Sequence, residues 1–321
     1  MHTNPTRRSQ TAKEETGGED TVSRRPYHQI VARLKKNMPR YLMLGPALLL
    51  AALLIVFPVA YAVYLSVSDW SPTGVKDTFV GLSNFERLLQ DGLFWNALRV
   101  TLTLYFVSLI VETVLGTYLA FLLNREVPGN KIFRALILIP SITAPVAISM
   151  MWLLLYDPTL GMANYLLRLA GFTGLEWLGD PGLVVYSLAI VDIWEWTPFM
   201  GLIILAGLKD LPADPLEAAD IDGATPLQKL WHVYLPLLRP IILVAILLRS
   251  VDLLRFFDTI YVMTQGGPVN ASTTLNIFAY RQGFQYFDLS YASTAMLALL
   301  VVVAIIASCI MILRRRFSYE V

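Results

Sequence analysis

Six long apolar stretches divide this chain and constrain its fold more than any other feature. They are Tyr41–Val67, Leu98–Leu123, Phe133–Tyr156, Leu183–Leu208, Ile241–Met263 and Leu289–Leu313. Each is long enough to cross the hydrocarbon core of a bilayer, which takes about 20 apolar residues in a helix. Only 15% of the residues are charged, whereas soluble domains carry about 25%. The sequence therefore predicts an all-α polytopic membrane protein with six transmembrane helices.

The basic residues predict how this domain lies in the membrane. With the N-terminus in the cytoplasm, 18 of the 25 Lys and Arg residues fall on the cytoplasmic side and five on the opposite side. An excess of Lys and Arg marks cytoplasmic loops, so both termini are predicted to be cytoplasmic. The predicted organisation is a flexible basic tail over residues 1–40, a six-helix domain over 41–315 and a short cytoplasmic C-terminus over 316–321.

The scarcity of metal-binding and reactive side chains excludes several function classes. A single cysteine, Cys309, allows neither a disulfide framework nor a cysteine metal site. The three histidines, His2, His28 and His232, all lie outside the apolar stretches. A net charge of +1 gives no reason to expect nucleic acid. No G-x-x-x-x-G-K-[ST] phosphate loop is present, so we expect no ATP site of that type in this chain. We also expect no metal site and no catalytic residue.

One polar segment, EAADIDGATPLQKLWHVYLP at residues 217–236, separates the fourth and fifth apolar stretches. It predicts two short helices joined by a turn. Asp214, followed by a proline, is typical of a helix N-cap. Gly223 suits the left-handed residue that ends a helix. Thr225 repeats the N-cap pattern, and the second helix is predicted to end before Pro236.

The spacing within this segment resembles the coupling loop of ATP-binding-cassette importer permeases. The pattern is Glu-Ala-Ala, three residues, glycine, nine residues, an aliphatic residue, one residue and Leu-Pro. It is met by Glu217, Ala218, Ala219, Gly223, Val233, Leu235 and Pro236. Further segments are similar to the carbohydrate-importer branch: FVGLSNFERLL (79–89), WLGDP (177–181), DIWEWTPF (192–199), DLLRFFDTIYVMTQGGP (252–268) and YRQGFQYFDLSYAS (280–293).

This resemblance, which covers about residues 40–315, implies a permease subunit that imports a sugar or sugar-like solute by alternating access. It implies a second homologous permease, two ATPase subunits that bind ATP and Mg, and an extracytoplasmic substrate-binding protein. The assembly would lie among lipids in a bacterial or archaeal cytoplasmic membrane. The loop at 211–240 would dock in a cleft of an ATPase subunit through Glu217, Ala218, Ala219, Asp222, Gly223, Leu235 and Pro236. The alternative for this loop is an amphipathic connector on the membrane surface.

Seven ionisable residues lie inside the predicted spans, where charge is costly and usually functional. They are Glu112, Asp192, Glu195, Arg249, Asp252, Arg255 and Asp258. Carboxylates accept hydrogen bonds from hydroxyl groups, arginines donate them, and aromatic rings cover the C–H faces of a sugar. The predicted solute pathway comprises Asp192, Trp194, Glu195, Trp196, Asp252, Arg255, Phe256 and Asp258, with Phe257 as a further aromatic candidate.

Helix geometry leaves structural pairing open for some of these charges. Residues three apart on a helix are rotated by about 60°. We therefore do not expect the four ionisable residues of the fifth stretch to line one cavity. The two arginines leave an anionic sugar derivative open, although the neighbouring aspartates weaken that inference.

A proton-coupled secondary transporter is the alternative function. Glu112, Glu195 or Asp252 would then relay protons, and neither ATPase subunits nor a coupling loop would be needed. Glu112 has no evident partner in its own span, and its role is left unassigned.

Overall fold

The computed structural model describes residues 43–70, 77–125 and 128–318. The tail predicted at residues 1–40 therefore lies outside the described residues, as do residues 319–321 of the predicted C-terminus. Helices dominate. They are α1 Met43–Ser66, α2 Ser83–Gln90, α3 Gly92–Leu123, α4 Asn130–Ile137, α5 Ile139–Ile142, α6 Pro145–Leu155, α7 Met162–Leu169, α8 Val184–Lys209, α9 Ala213–Ile221, α10 Pro226–Lys229, α11 Leu235–Leu254, α12 Asp258–Met263, α13 Leu275–Tyr280 and α14 Leu289–Ser318.

Four of these helices are continuous, long and apolar enough to cross a membrane. They are α1, α3, α8 and α14, and they correspond to the first, second, fourth and sixth predicted spans. π-helical turns occur within α1 at Ala52–Val56, before α11 at Leu230–Tyr234 and after α13 at Arg281–Gln285. The predicted all-α membrane fold is confirmed, whereas the third and fifth predicted spans are not single helices.

The third predicted span is divided into α4, α5 and α6. Pro140 lies in the first turn of α5, and Pro145 lies in the first turn of α6. Between them Thr143 has an extended backbone, with φ −82° and ψ 146°. Pro145 is the first residue of α6 and follows Ala144, whose backbone is extended, as is typical of a residue before proline. Pro140 is the second residue of α5, where a helix needs no N–H donor.

The fifth predicted span is interrupted near its C-terminal end. α11 ends at Leu254 and α12 begins at Asp258. At the other end, the prediction that the second coupling-loop helix stops before Pro236 is wrong, because α10 continues through the π-helical turn into α11. The Leu235 N–H closes that wider turn on the Leu230 carbonyl, one residue before the proline that has no N–H to donate.

The packing of α3 against α8 is the most extensive helix–helix contact in the described fold. The two backbones approach closely where small residues face each other. A Cβ atom added to Gly116 would lie 2.9 Å from the Cβ of Met200 and 3.1 Å from the backbone nitrogen of Gly201. Close approach through glycine is typical of helices packed in a membrane.

A short hairpin and α2 connect α1 to α3. Strands β1, Ser68–Trp70, and β2, Asp77–Phe79, pair antiparallel with Ser68 opposite Phe79. The Trp70 N–H donates to Ser290 Oγ on α14 at 3.0 Å, and this bond joins the hairpin to the last helix.

Candidate functional site

The break between α11 and α12 opens onto a cavity of about 180 Å³. Its lining residues come from α6, α8, α11, α12 and the break itself: Pro145, Glu195, Trp196, Arg249, Asp252, Arg255, Phe256, Phe257, Asp258 and Thr259. The expectation that the four ionisable residues of the fifth stretch cannot share one cavity is therefore wrong. That expectation assumed an unbroken helix, whereas the chain leaves helical geometry after Leu254.

At one wall of the cavity, Arg249 is held by two carboxylates. Its Nε donates to Glu112 Oε2 at 2.8 Å, and its Nη2 donates to Glu112 Oε1 at 3.1 Å and to Asp192 Oδ1 at 2.5 Å. All three side chains are at most 1% exposed. The guanidinium also lies over the Trp196 ring, 4.8 Å from its centroid. This triad joins α3, α8 and α11, and it gives Glu112 a buried structural partner.

Two predicted pathway residues, Asp192 and Trp194, do not line the cavity. Asp192 is fully buried and faces Arg249. Trp194 lies on another face of α8, where its ring packs edge-on against Trp152 with centroids 5.7 Å apart. Successive helical residues are rotated by about 100°, so Trp194 and Trp196 cannot face the same way. The structure brings together the other six predicted residues, Glu195, Trp196, Asp252, Arg255, Phe256 and Asp258.

Some charged residues of the cavity form ion pairs within the described part of the chain, and others do not. Arg255 Nη2 donates to Asp252 Oδ1 at 2.7 Å in a partly exposed pair. Glu195 is 1% exposed, and its Oε2 is buried without a hydrogen-bond partner. Among the described residues, neither Glu195 nor Asp258 has an ion-pair partner within 4.0 Å. The Ser141 hydroxyl donates to the Glu195 backbone carbonyl at 2.5 Å and so ties α5 to α8 beside the cavity.

Sequence reasoning missed Arg249, Pro145 and Thr259 as parts of the cavity wall. Arg249 could have been suspected, because it is an ionisable residue in an apolar stretch. Pro145 and Thr259 carry no such signal, since their position depends on how the broken helices pack.

The polar segment between the fourth and fifth apolar stretches forms a compact helical hairpin, α9–α10. Gly223, with φ +69°, reverses the chain after α9, and the Ala224 N–H bonds to the Ala219 carbonyl at 3.0 Å. Thr225 and Gln228 then form a reciprocal capping box at the start of α10. These features satisfy backbone groups that helix ends otherwise leave unpaired.

The predicted coupling residues occupy different environments on this hairpin. Glu217, Ala218, Asp222 and Gly223 are exposed, Ala219 is buried, and Leu235 and Pro236 are half-buried at the start of α11. The prediction of Asp214 as the N-cap of α9 is wrong by two residues, because the N-cap is Pro212, whose extended backbone leads directly into the helix. Asp214 instead lies in the first turn, where a negative charge favours the helix dipole.

The sequence over residues 112–319 matches a protein-family model described as "Binding-protein-dependent transport system inner membrane component". The chain belongs to this family. The predicted membership among importer permeases is therefore confirmed. The permease is a multi-pass inner-membrane transport component, not an enzyme, and the comparisons give the proton-coupled transporter no support.

Named relatives match the permease along most of its length. It is 36% identical to the trehalose/maltose transport system permease protein MalF of Thermococcus litoralis, over 85% of this chain and 92% of the relative. It is 34% identical to the trehalose transport system permease protein SugA of Mycobacterium tuberculosis, over 86% and 88%. It is 31% identical to the sn-glycerol-3-phosphate transport system permease protein UgpA of Yersinia pestis, over 87% and 95%.

A solved structure shows the same fold. The crystal structure of a bacterial ABC transporter involved in the import of the acidic polysaccharide alginate superposes with a TM-score of 0.77. The match covers 90% of this permease and 99% of that chain, at 23% identity. At this identity the likeness supports the architecture alone.

Proposed function

We propose that this permease imports a sugar or sugar-like solute through the cavity at the α11–α12 break. ATP hydrolysis by separate ATPase subunits, docked on the α9–α10 hairpin, would drive the cycle. The observation that carries this proposal is the match along 85% and 86% of the chain to relatives named for trehalose and maltose transport.

The chemistry of the cavity supports a hydroxylated solute. Glu195 and Asp258 offer carboxyl groups that hydroxyls can bond, and Trp196 and Phe256 offer ring faces for the C–H side of a sugar. The volume of about 180 Å³ is smaller than the roughly 300 Å³ lower limit of small-molecule sites. A second homologous permease that lines the other half of the pathway would enlarge the cavity to the volume that a sugar needs.

The exposed surface of the hairpin supports a protein partner on the cytoplasmic side. Ile221 and Leu227 on the hairpin are 86% and 65% exposed, and Trp231 in the π-helical turn after it is 61% exposed. Exposed large apolar side chains outside the apolar stretches are consistent with a docking surface. The Glu217 carboxylate, exposed on α9, makes no ion pair within the described residues and can accept hydrogen bonds from the partner. ATP and Mg would be bound by that partner.

A stiff connection from hairpin to cavity supports the coupling mechanism. Lys229 pairs with Asp220 across the turn, so α9 and α10 are held together. α10 is continuous with α11 through the π-helical turn, and α11 ends at Leu254, at the edge of the cavity. Twenty residues of α-helix extend about 30 Å, close to the thickness of the hydrocarbon core. Movement of the hairpin by the ATPase subunits would thus displace the cavity wall and switch the side on which it opens.

The proposed arrangement in the membrane has six crossings and both termini in the cytoplasm. The third and fifth crossings would be broken helices. Such interruptions are tolerated within a bilayer where the backbone is buried in protein or lines a cavity. The residues of the α11–α12 break meet the second condition.

Reconstitution of the full assembly tests this function. The permease, its partner permease, the two ATPase subunits and the binding protein would be placed in liposomes, and sugars would be added one at a time. We expect one sugar to stimulate ATP hydrolysis and to enter the liposomes only when ATP is hydrolysed. Uptake driven by a pH gradient without ATPase subunits would instead establish the proton-coupled alternative.

A further inference from the structure

We propose that the cavity at the α11–α12 break selects against anionic solutes, so that the imported sugar is uncharged or carries an amino group. This inference rests on the proposed function and specifies the chemical class of its solute. The names of the relatives leave the class open, since they include a neutral disaccharide and a phosphorylated glycerol.

Acidic groups outnumber basic groups in the cavity and the triad at its wall. The five carboxyl groups belong to Glu112, Asp192, Glu195, Asp252 and Asp258, and the two guanidinium groups belong to Arg249 and Arg255. Like charges repel, and the repulsion is stronger where water screens it less, as at Glu112, Asp192 and Glu195, which are at most 1% exposed. An anionic solute would add a further negative charge to this excess.

The two arginines do not offset this excess. Arg249 is shared by Glu112 and Asp192, and all its bonds to them are 3.1 Å or shorter. Arg255 is engaged by Asp252 at 2.7 Å. At Arg249, a phosphate or carboxylate on the solute would have to displace a buried partner, leaving a carboxylate uncompensated at an energetic cost. At Arg255, it would meet the like charge of Asp252, whose Oδ1 already accepts a hydrogen bond from Nη2. Each guanidinium charge is therefore already offset by a carboxylate.

Glu195 favours a solute that carries hydroxyl or ammonium groups. The residue is 1% exposed and lines the cavity, and its Oε2 atom has no hydrogen-bond partner. A buried polar atom without a partner costs free energy, which a ligand can recover by bonding to it. A carboxyl group can bond a sugar hydroxyl in either protonation state, and an ionised one can also pair with an ammonium group. Asp258, the first residue of α12, has no ion-pair partner among the described residues and adds a second acidic group to the cavity.

The first experiment measures the charge preference of the cavity without any solute. The exposed native thiol is removed with Cys309→Ser, and a reporter thiol is introduced with Phe256→Cys in the assembled complex. The rates of reaction with a cationic and an anionic methanethiosulfonate are compared. Phe172→Cys, at an exposed position outside the cavity, provides the reference ratio.

We expect the cationic reagent to be favoured on the order of tenfold at the cavity thiol relative to the reference thiol. Adding Glu195→Gln and Asp258→Asn should reduce that preference at least severalfold, whereas the exposed Glu86→Gln should leave it unchanged. Equal reaction with both reagents, or a preference for the anionic one, would overturn the proposal.

The second experiment uses matched solutes in the reconstituted complex. Trehalose is compared with trehalose 6-phosphate, and glucosamine with glucuronate. Uptake is normalised to capture by the binding protein, measured separately by calorimetry. Faster normalised uptake of the uncharged or amino-bearing member supports the proposal, and equal or faster uptake of the anionic member overturns it while leaving sugar import intact. If an assembled, ATP-hydrolysing complex takes up neither member and no other sugar of the panel, the proposed function itself fails, and the solute class fails with it.

Discussion

Replacement of Arg249 by methionine tests whether the buried triad stabilises the permease. Methionine keeps much of the side-chain volume but leaves Glu112 and Asp192 without their partner, at positions no more than 1% exposed. Breaking a buried ion pair in this way costs about 3–5 kcal/mol. At roughly 2 °C per kcal/mol for a chain of this size, the unfolding midpoint should fall by about 6–10 °C.

Arg255→Met is the matched control, because it removes the same charge from a pair whose side chains are 67% and 39% exposed. Exposed pairs contribute about 0–1 kcal/mol, so the midpoint should fall by no more than about 2 °C. Both variants would be measured as purified complexes in one detergent, by tryptophan fluorescence during heating.

A rescue variant separates the ion triad from simple packing. Arg249→Met combined with Glu112→Gln and Asp192→Asn leaves no unpaired charge, and we expect it to recover more than half of the lost stability. An equal loss for Arg249→Met and Arg255→Met would refute the reasoning. So would a rescue variant no more stable than Arg249→Met alone.

Three further predictions concern helix packing, capping and pH. Gly116→Ala should lower the unfolding midpoint by roughly 2–6 °C through overpacking against α8, whereas Gly92→Ala, which has open space, should change it by less than about 1 °C. Thr225→Ala removes a capping box and should raise hydrogen exchange in α10 about fivefold, a result contradicted by unchanged exchange. Hydrogen bonds from the backbone N–H of Leu160, and then from Thr159, lower the pKa of Asp157 below its usual 3.8. Above pH 3.8 these bonds stabilise the turn that they form. As the pH falls through the lowered pKa, the amides of the turn should lose protection from hydrogen exchange, after correction for intrinsic exchange rates. Asp157→Asn should remove this pH dependence.

The features that could be predicted from the sequence depend on local pattern. The apolar stretches identify the membrane fold because a span needs only length and hydrophobicity. The turn at Gly223 and the N-cap at Thr225 follow from residues whose backbone and side-chain preferences are strong. The family resemblance was carried by the order and spacing of several such segments.

The features that could not be predicted depend on contacts between distant parts of the chain. Glu112 and Arg249 are 137 residues apart, so no local pattern indicates their pairing. The break after Leu254 places the charges of the fifth stretch around one cavity, although regular helix geometry would disperse them. No proline or glycine marks that break in the sequence, which is why an unbroken span was expected.

The most direct test of the account compares Glu217→Ala with Asp214→Ala in the reconstituted complex, with binding protein and the stimulating sugar present. Both residues are exposed acidic residues of α9, three positions apart. We expect Glu217→Ala to abolish sugar-stimulated ATP hydrolysis and uptake while the subunits still co-purify, and Asp214→Ala to keep most of both. Stimulated hydrolysis and uptake that persist in Glu217→Ala would contradict this expectation.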